Sequence, residues 1–173
     1  MYNIRFANTN DLPHLIYINH QLGNYGWPAE HFAQLLAMDT PMWVIETANL
    51  QICGFLVASF LSEDMKILNL TIDQNFQGQG IGQRLLQHVL LAAKDHGSWF
   101  AMLEVRVDNQ NAIKLYNNLG FKTLCVRDEY YLHLPVQEAY LMQLDLRKLA
   151  TKPLSILHIN AMHKVSDTQL LAS

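Results

Sequence analysis

Cysteine is scarce in this chain, and so is charge. Only two cysteines occur among its 173 residues, Cys53 and Cys125, too few for a disulfide framework. Each lies in an apolar, strand-like run, so both read as small core residues in a reducing compartment, and a cytoplasmic location is expected. Neither stands in Cys-x-x-Cys, and no two of the eight histidines form His-x-x-x-His, so no metal site is expected. Charged residues make up 16%, with a formal net charge of -3. No cluster of Lys and Arg exceeds two neighbours, which argues against a dedicated nucleic-acid binder. No apolar run reaches membrane-spanning length. The opening Met1-Tyr-Asn-Ile-Arg-Phe alternates like a strand and lacks a charged-then-apolar leader. Neither a nucleic acid nor a membrane is therefore expected as a partner.

What is abundant is apolar residues, half of the chain, enough for the core of one domain. Asn3–Ala7 reads as a first strand, with Ile4 and Phe6 on one face. Asn10 or Asp11 is placed to cap a helix entered at Pro13 and running through Leu15, Ile16 and Ile18 towards Gly23. A turn-rich stretch, Gly23 to Pro28, leads to a short second helix through Phe32, Leu35 and Leu36. Strands are expected at Met42–Thr47 and Ile52–Leu61, joined by a hairpin turn over 48–50, and at Lys66–Ile72. Ile81, Leu85, Leu86, Val89, Leu90 and Ala93 then recur at helical spacing up to Gly97. Phe100–Val105 is the next strand. Asn109 is placed to cap a helix through Ala112, Ile113, Tyr116 and Leu119, closed by Gly120. Lys122–Arg127 and Ala139–Leu146 read as the last two strands. The order β-α-α-β-β-β-α-β-α-β-β implies an α/β (α+β) domain over residues 1–150, with a mixed sheet and helices on both faces. Residues 151–173 form a C-terminal extension too apolar for a disordered tail. It is expected to dock on the domain as a helix or strand.

Glycine is sparse too, yet three of the eight alternate in one turn: Gln77-Gly78-Gln79-Gly80-Ile81-Gly82-Gln83. The turn joins a strand to a strongly amphipathic helix, a place where backbone N–H groups converge and the positive helix end favours an anion such as a pyrophosphate. A Walker A loop would end Gly-Lys-Ser/Thr, and a dinucleotide fingerprint would place glycine where Gln83 stands; neither pattern fits. The hexapeptide does fit Gln/Arg-x-x-Gly-x-Gly/Ala. In this it resembles the GCN5-related N-acetyltransferase (GNAT) superfamily, whose members cradle the pyrophosphate of coenzyme A there. Asn109-Gln-Asn-Ala-Ile-Lys-Leu-Tyr-Asn-Asn-Leu-Gly-Phe121 looks like the second signature of that superfamily. Leu103-Glu-Val-Arg106, Arg127-Asp-Glu-Tyr-Tyr131 and Gly26-Trp-Pro-Ala-Glu-His-Phe32 are similar to segments of ribosomal-protein-alanine N-acetyltransferases. The resemblance covers about residues 3–146. It implies a mixed, mostly antiparallel sheet of six or seven strands and acetyl-CoA as co-substrate.

The chemistry so implied is direct attack of an amine on a thioester. An alkylammonium cannot attack, so a base must take its proton, often through water. Glu104 is the candidate, because a carboxylate in an otherwise apolar strand either reaches a polar cleft or loses hydration and becomes a better proton acceptor. Its ordinary alternatives are an outward-facing strand carboxylate or an ion pair with Arg106. Tyr116 is the candidate to give the departing thiolate a proton or a hydrogen bond; simple core packing is the alternative. The resemblance further places backbone donors for the acetyl carbonyl and pantetheine in Leu70, Thr71 and Ile72. It gives Asn109 a coenzyme contact in addition to its cap.

The acceptor is an amine, and an α-amine, with a pKa near 7.7–8.0 against about 10.4 for lysine, costs roughly 3–4 kcal/mol less to deprotonate at neutral pH. A protein N-terminus, specifically the alanine of a ribosomal protein, is the expected partner. Trp27, Tyr130, Tyr131 and Glu138 are expected to frame it. Departures from the relatives bear on that choice: Leu132 follows the tyrosine pair, 132–137 is apolar, and Pro28 replaces Ser/Thr. Acetylation of lysine side chains or a small amine, and a non-catalytic acyl-CoA sensor, remain alternatives. A sensor would need neither Glu104 nor Tyr116. Monomer and homodimer are both open.

Overall fold

The structure is a computed structural model that describes residues 2–61, 63–127 and 138–149. The sequence-expected extension 151–173 and the segment with Tyr130 and Tyr131 lie outside them. Among the described residues seven strands form one sheet: β1 (Tyr2–Phe6), β2 (Met42–Thr47), β3 (Ile52–Leu61), β4 (Asp64–Ile72), β5 (Phe100–Arg106), β6 (Lys122–Arg127) and β7 (Ala139–Asp145). Their order is β1-β2-β3-β4-β5-β7-β6. Only β4 and β5 pair in parallel; the other neighbours are antiparallel. This is the mixed, mostly antiparallel sheet expected.

Helices cover both faces. Against one face lie α1 (Leu12–His20) and α2 (Ala29–Ala37), where Leu15, Ile18 and Phe32 pack on Met42, Val44, Phe55 and Val57. The other face is covered by α3 (Ile81–Asp95) and α4 (Gln110–Asn118), with Leu85, Leu86, Val89 and Tyr116 packed on Ile45, Leu56, Ile67 and Leu103. Alternation along β5 shows why the sheet serves two layers: Ala101, Leu103 and Val105 are buried towards α3, while Met102, Glu104 and Arg106 between them take the opposite face.

Two expectations are corrected. Asp11 holds the N-cap position of α1, one of the two expected residues, but its side chain makes no capping hydrogen bond to that helix. Asn8 caps a short 3-10 turn over Thr9–Asp11 in a reciprocal capping box, and α1 continues from it. The Asp11 carboxylate is taken instead by Arg5, at 2.8 Å, and by the backbone N–H of Asn8. Arg5 also reaches Glu46 at 3.0 Å. Asp11 is held below the usual carboxylate range: burial opposes that shift, and the hydrogen bond from Arg5 leads the effects that outweigh it. The second correction concerns Cys125. Cys53 is buried, but Cys125 is exposed, because β6 is an edge strand whose residues are all exposed.

Candidate active site

The site begins where two strands part. β4 and β5 pair only from Asp64–Ile67 against Phe100–Leu103. Beyond that point β4 stays with β3 as far as Ile72, and β5 stays with β7 as far as Arg106, so the facing edges of the two strands separate. A register shift helps to part them. Val57 opposes Asn69 and Ala58 opposes Ile67, which leaves Leu68 as an extra residue on β4. The bulge turns Leu68 towards the α1–α2 side while Leu70 packs with the α3 core. Leu70, Thr71 and Ile72 thus lie on the unpaired stretch of β4, and a strand edge without a neighbour offers backbone N–H and C=O groups to a ligand.

Glu104 is the first residue of β5 past the end of that pairing. Its side chain is 5% exposed and is flanked by two cations: Oε2 lies 3.3 Å from Lys66 Nζ on β4, and Oε1 lies 2.9 Å from Arg127 Nη1 on β6. The Arg127 contact is short but misaligned, so Oε1 accepts no hydrogen bond among the described residues. Glu104 is therefore neither an outward-facing carboxylate nor the partner of Arg106. Arg106 donates to Asp108 at 2.9 Å and stacks on Tyr25, its guanidinium carbon 3.4 Å from the ring centroid. That stack brings the turn between α1 and α2 over the same face of β5. Lys66, Arg127 and Tyr25 are neighbours that sequence reasoning did not assign, since each reaches the site from a different, distant element.

The glycine-rich turn follows the end of β4 directly. Gln77 donates from Nε2 to the carbonyl of Ile72 at 2.9 Å, and Gln79 from Nε2 to that of Asn75 at 3.3 Å, so both side chains are used to shape the turn. Gly78 and Gly80 have φ values of 73° and 75°, a conformation that side-chain-bearing residues seldom adopt. Gly80 is the N-cap of α3 and supplies no side-chain cap. Arg84 is the first residue to donate back, to the carbonyl of Gly80, which leaves the N–H groups of Ile81, Gly82 and Gln83 without an intrahelical acceptor. A Cβ built at Gly78 or Gly80 would meet nothing within 4 Å. The space above the turn is open, as an anion cradle requires.

Tyr116 comes to this end of the molecule through α4. A Cβ built on Gly82 would lie 3.4 Å from Ile72 and 3.8 Å from Leu115, so the start of α3, the end of β4 and the residue beside Tyr116 converge. The Tyr116 ring packs on Phe121 at 5.7 Å, and burial pushes its phenol up to about 12. Asn109 performs the expected cap, its Oδ1 accepting from Ala112 N at 3.2 Å. Among the acceptor candidates, Trp27 is half-buried. Asn19 grips its backbone through two hydrogen bonds, and its ring meets His31 at 4.8 Å and Phe32 at 5.6 Å. Glu138 is exposed and accepts through its carbonyl from Val107 N at 3.1 Å, next to Arg106. Tyr130 and Tyr131 fall outside the described residues.

Residues 11–121 match the acetyltransferase (GNAT) family. The ribosomal protein bS18-alanine N-acetyltransferase of Escherichia coli is 29% identical over 131 residues, covering 76% of this chain and 88% of that protein. The N-alpha-acetyltransferase RimI of Mycobacterium tuberculosis is 30% identical over 128 residues, 72% of this chain and 78% of that one. Among solved structures, the ribosomal-protein-S18-alanine N-acetyltransferase of Escherichia coli superposes with a TM-score of 0.77 at 26% identity, covering 90% of this chain and all of that one.

Proposed function

The chain belongs to the acetyltransferase (GNAT) family, whose members use acetyl-CoA, and from that premise we propose that it acetylates the α-amine of a protein N-terminus, specifically the N-terminal alanine of a ribosomal protein. The acceptor is argued from the E. coli and M. tuberculosis relatives, whose names state an alanine and an N-alpha acceptor. The observation that carries the chemistry is the seat of Glu104: a buried carboxylate at the fork of β4 and β5, with one oxygen that accepts no hydrogen bond among the described residues.

In this reading the uncapped start of α3 and the turn Gln77–Gln83 hold the pyrophosphate, and Leu70–Ile72 the pantetheine arm. The open space above Gly78 and Gly80 and the free N–H groups of Ile81, Gly82 and Gln83 fit that group. Bound there, acetyl-CoA supplies a thioester whose C–S bond breaks as the amine nitrogen bonds to its carbonyl carbon. Glu104, directly or through one water, removes the first proton of the ammonium. Tyr116 faces the leaving sulfur, and the second nitrogen proton passes on to solvent or to the thiolate as the amide forms. The net change is one amide, one thiol and one proton released.

The height of the Tyr116 pKa, about 12, decides which form its help takes. Complete proton transfer to a thiolate with a reference pKa of about 8.5 is uphill by roughly 3–4 units, about 5 kcal/mol. A hydrogen bond from an intact phenol to the developing thiolate carries no such penalty, so Tyr116 acts as a hydrogen-bond donor. Glu104→Gln tests the assignment of the base: acetyl-CoA affinity should persist while turnover drops by about 100-fold or more, with the deficit shrinking as pH rises and free amine accumulates. A full-rate variant leaves Glu104 a structural carboxylate. Tight acetyl-CoA binding by the wild type with no transfer to any amine would make the chain a sensor.

A further inference from the structure

Glu104 has two cationic neighbours of different kinds. Lys66 stands on β4, an interior strand held between β3 and β5, and its side chain is 36% exposed. Arg127 stands on the edge strand β6, and its side chain is 50% exposed. β7 lies between Arg127 and Glu104: Arg127 pairs with Ala139, which pairs in turn with Arg106, two residues beyond Glu104. Adjacent strands lie roughly 4.8 Å apart, so the guanidinium spans about two strand spacings and must hold most of its side-chain torsions extended. That ordering costs entropy, and a half-exposed ion pair returns little for it. The contact is also misaligned, so Oε1 remains a buried acceptor without a hydrogen bond among the described residues. Arg106, two residues along β5 on the same face, is engaged by Asp108 and Tyr25.

We propose that Arg127 sits in the seat of the acceptor's ammonium, so that the incoming N-terminus binds by displacing the guanidinium from Glu104 Oε1 while Lys66 keeps the carboxylate in place through Oε2. This rests on the reading of Glu104 as the group that receives the acceptor's proton. A primary ammonium is a compact charge with three donors that turn freely, and it can align with Oε1 where the planar guanidinium does not. The exchange is one cation for another, so Glu104 is not left bare as the acceptor enters. A neutral head group gains nothing at this seat and leaves Arg127 where it is. Arg127 thereby sets a charge requirement on the acceptor and acts as a specificity residue.

The test is an alanine-initiated peptide and its des-amino analogue, each titrated into wild type, Arg127→Gln and Arg127→Lys, with acetyl-transfer kinetics for the peptide. Without the resident cation, Arg127→Gln should bind the peptide about two- to fivefold more tightly, the scale of one partly exposed ion pair, and its acceptor KM should fall accordingly. Acetyl-CoA affinity and the affinity of the des-amino analogue should stay the same, and Arg127→Lys should lie close to wild type. Millimolar guanidinium should compete with the peptide on Arg127→Gln more strongly than on wild type. An unchanged or raised peptide Kd in a folded Arg127→Gln overturns the proposal, as does an equal tightening of the des-amino analogue, which would mark a steric opening. The parent reading fails separately: a full-rate Glu104→Gln removes the base itself, whereas a slow Glu104→Gln beside an unaltered Arg127→Gln removes only the ammonium seat.

Discussion

Removing one oxygen atom from Tyr116 separates a hydrogen-bond donor from a core ring. Tyr116→Phe keeps the ring that packs on Phe121 at 5.7 Å, so the fold should persist. A hydrogen bond to a charged group is worth about 1.5–3 kcal/mol, which corresponds to a fall in kcat of roughly 10- to 150-fold at about 1.4 kcal/mol per decade. KM for both substrates should move little, because the bond strengthens only as charge develops on sulfur. Thiol release followed with a chromogenic thiol reagent measures this at saturating substrates. The pH dependence adds a sharper requirement. Burial pushes the phenol up to about 12, so the ratio of wild-type to variant kcat should stay flat from pH 7 to about 10. A ratio that collapses between pH 9 and 10 would mean a phenol titrating near its ordinary value and would undo the burial argument. A variant at full rate would reduce Tyr116 to packing.

The same phenol links pH to stability: its folded pKa lies above the unfolded one, so its contribution is complete below about pH 10 and fades as pH rises towards 12. Wild type should lose about 2–3 kcal/mol across that window relative to Tyr116→Phe, measured by urea unfolding. Gly80→Val forces a β-branched residue into a φ of 75°, so acetyl-CoA affinity should drop by at least tenfold in calorimetry; unchanged affinity in a folded variant would remove the turn from the coenzyme site. Arg5→Met leaves Asp11 and Glu46, whose side chains are 7% and 3% exposed, without their shared cation and should cost about 3 kcal/mol of unfolding free energy. A loss under about 1 kcal/mol would show that water or other donors replace it.

How far the sequence reaches depends on whether a feature is local. Strand limits such as 42–47 and 52–61, and the helix from Ile81, follow from apolar periodicity and turn residues that lie within a few positions of one another. The cap position at Asp11 was legible but its bonding was not: Asp11 stands at the N-cap of α1, while the capping box at Asn8 and the pull of Arg5 take its carboxylate. Cys125 shows the limit of periodicity. Thr123 to Val126 carry the residues of a core strand, and only the sheet order, with β7 inserted between β5 and β6, puts that strand at an edge. The glycine turn, Glu104, Tyr116 and Asn109 could be singled out as candidates because each lies in a short signature. Lys66 and Arg127 were not legible as partners of Glu104, since their meeting depends on the pairing of four strands. The fork between β4 and β5 depends on a one-residue register shift at Leu68 that no local pattern announces.

Most directly, the account is tested by the choice of acceptor, measured in one acetyl-transfer assay with three amines at equal concentration: an alanine-initiated peptide, the same peptide with its α-amine blocked and its lysines free, and spermidine. Attack by an α-amine seated at Glu104 predicts rapid transfer to the first and transfer to neither of the others, with the acetyl group located on the N-terminal nitrogen by mass spectrometry. Faster transfer to the blocked peptide's lysines or to spermidine would contradict the N-terminal assignment and leave a family member that acts on a different amine.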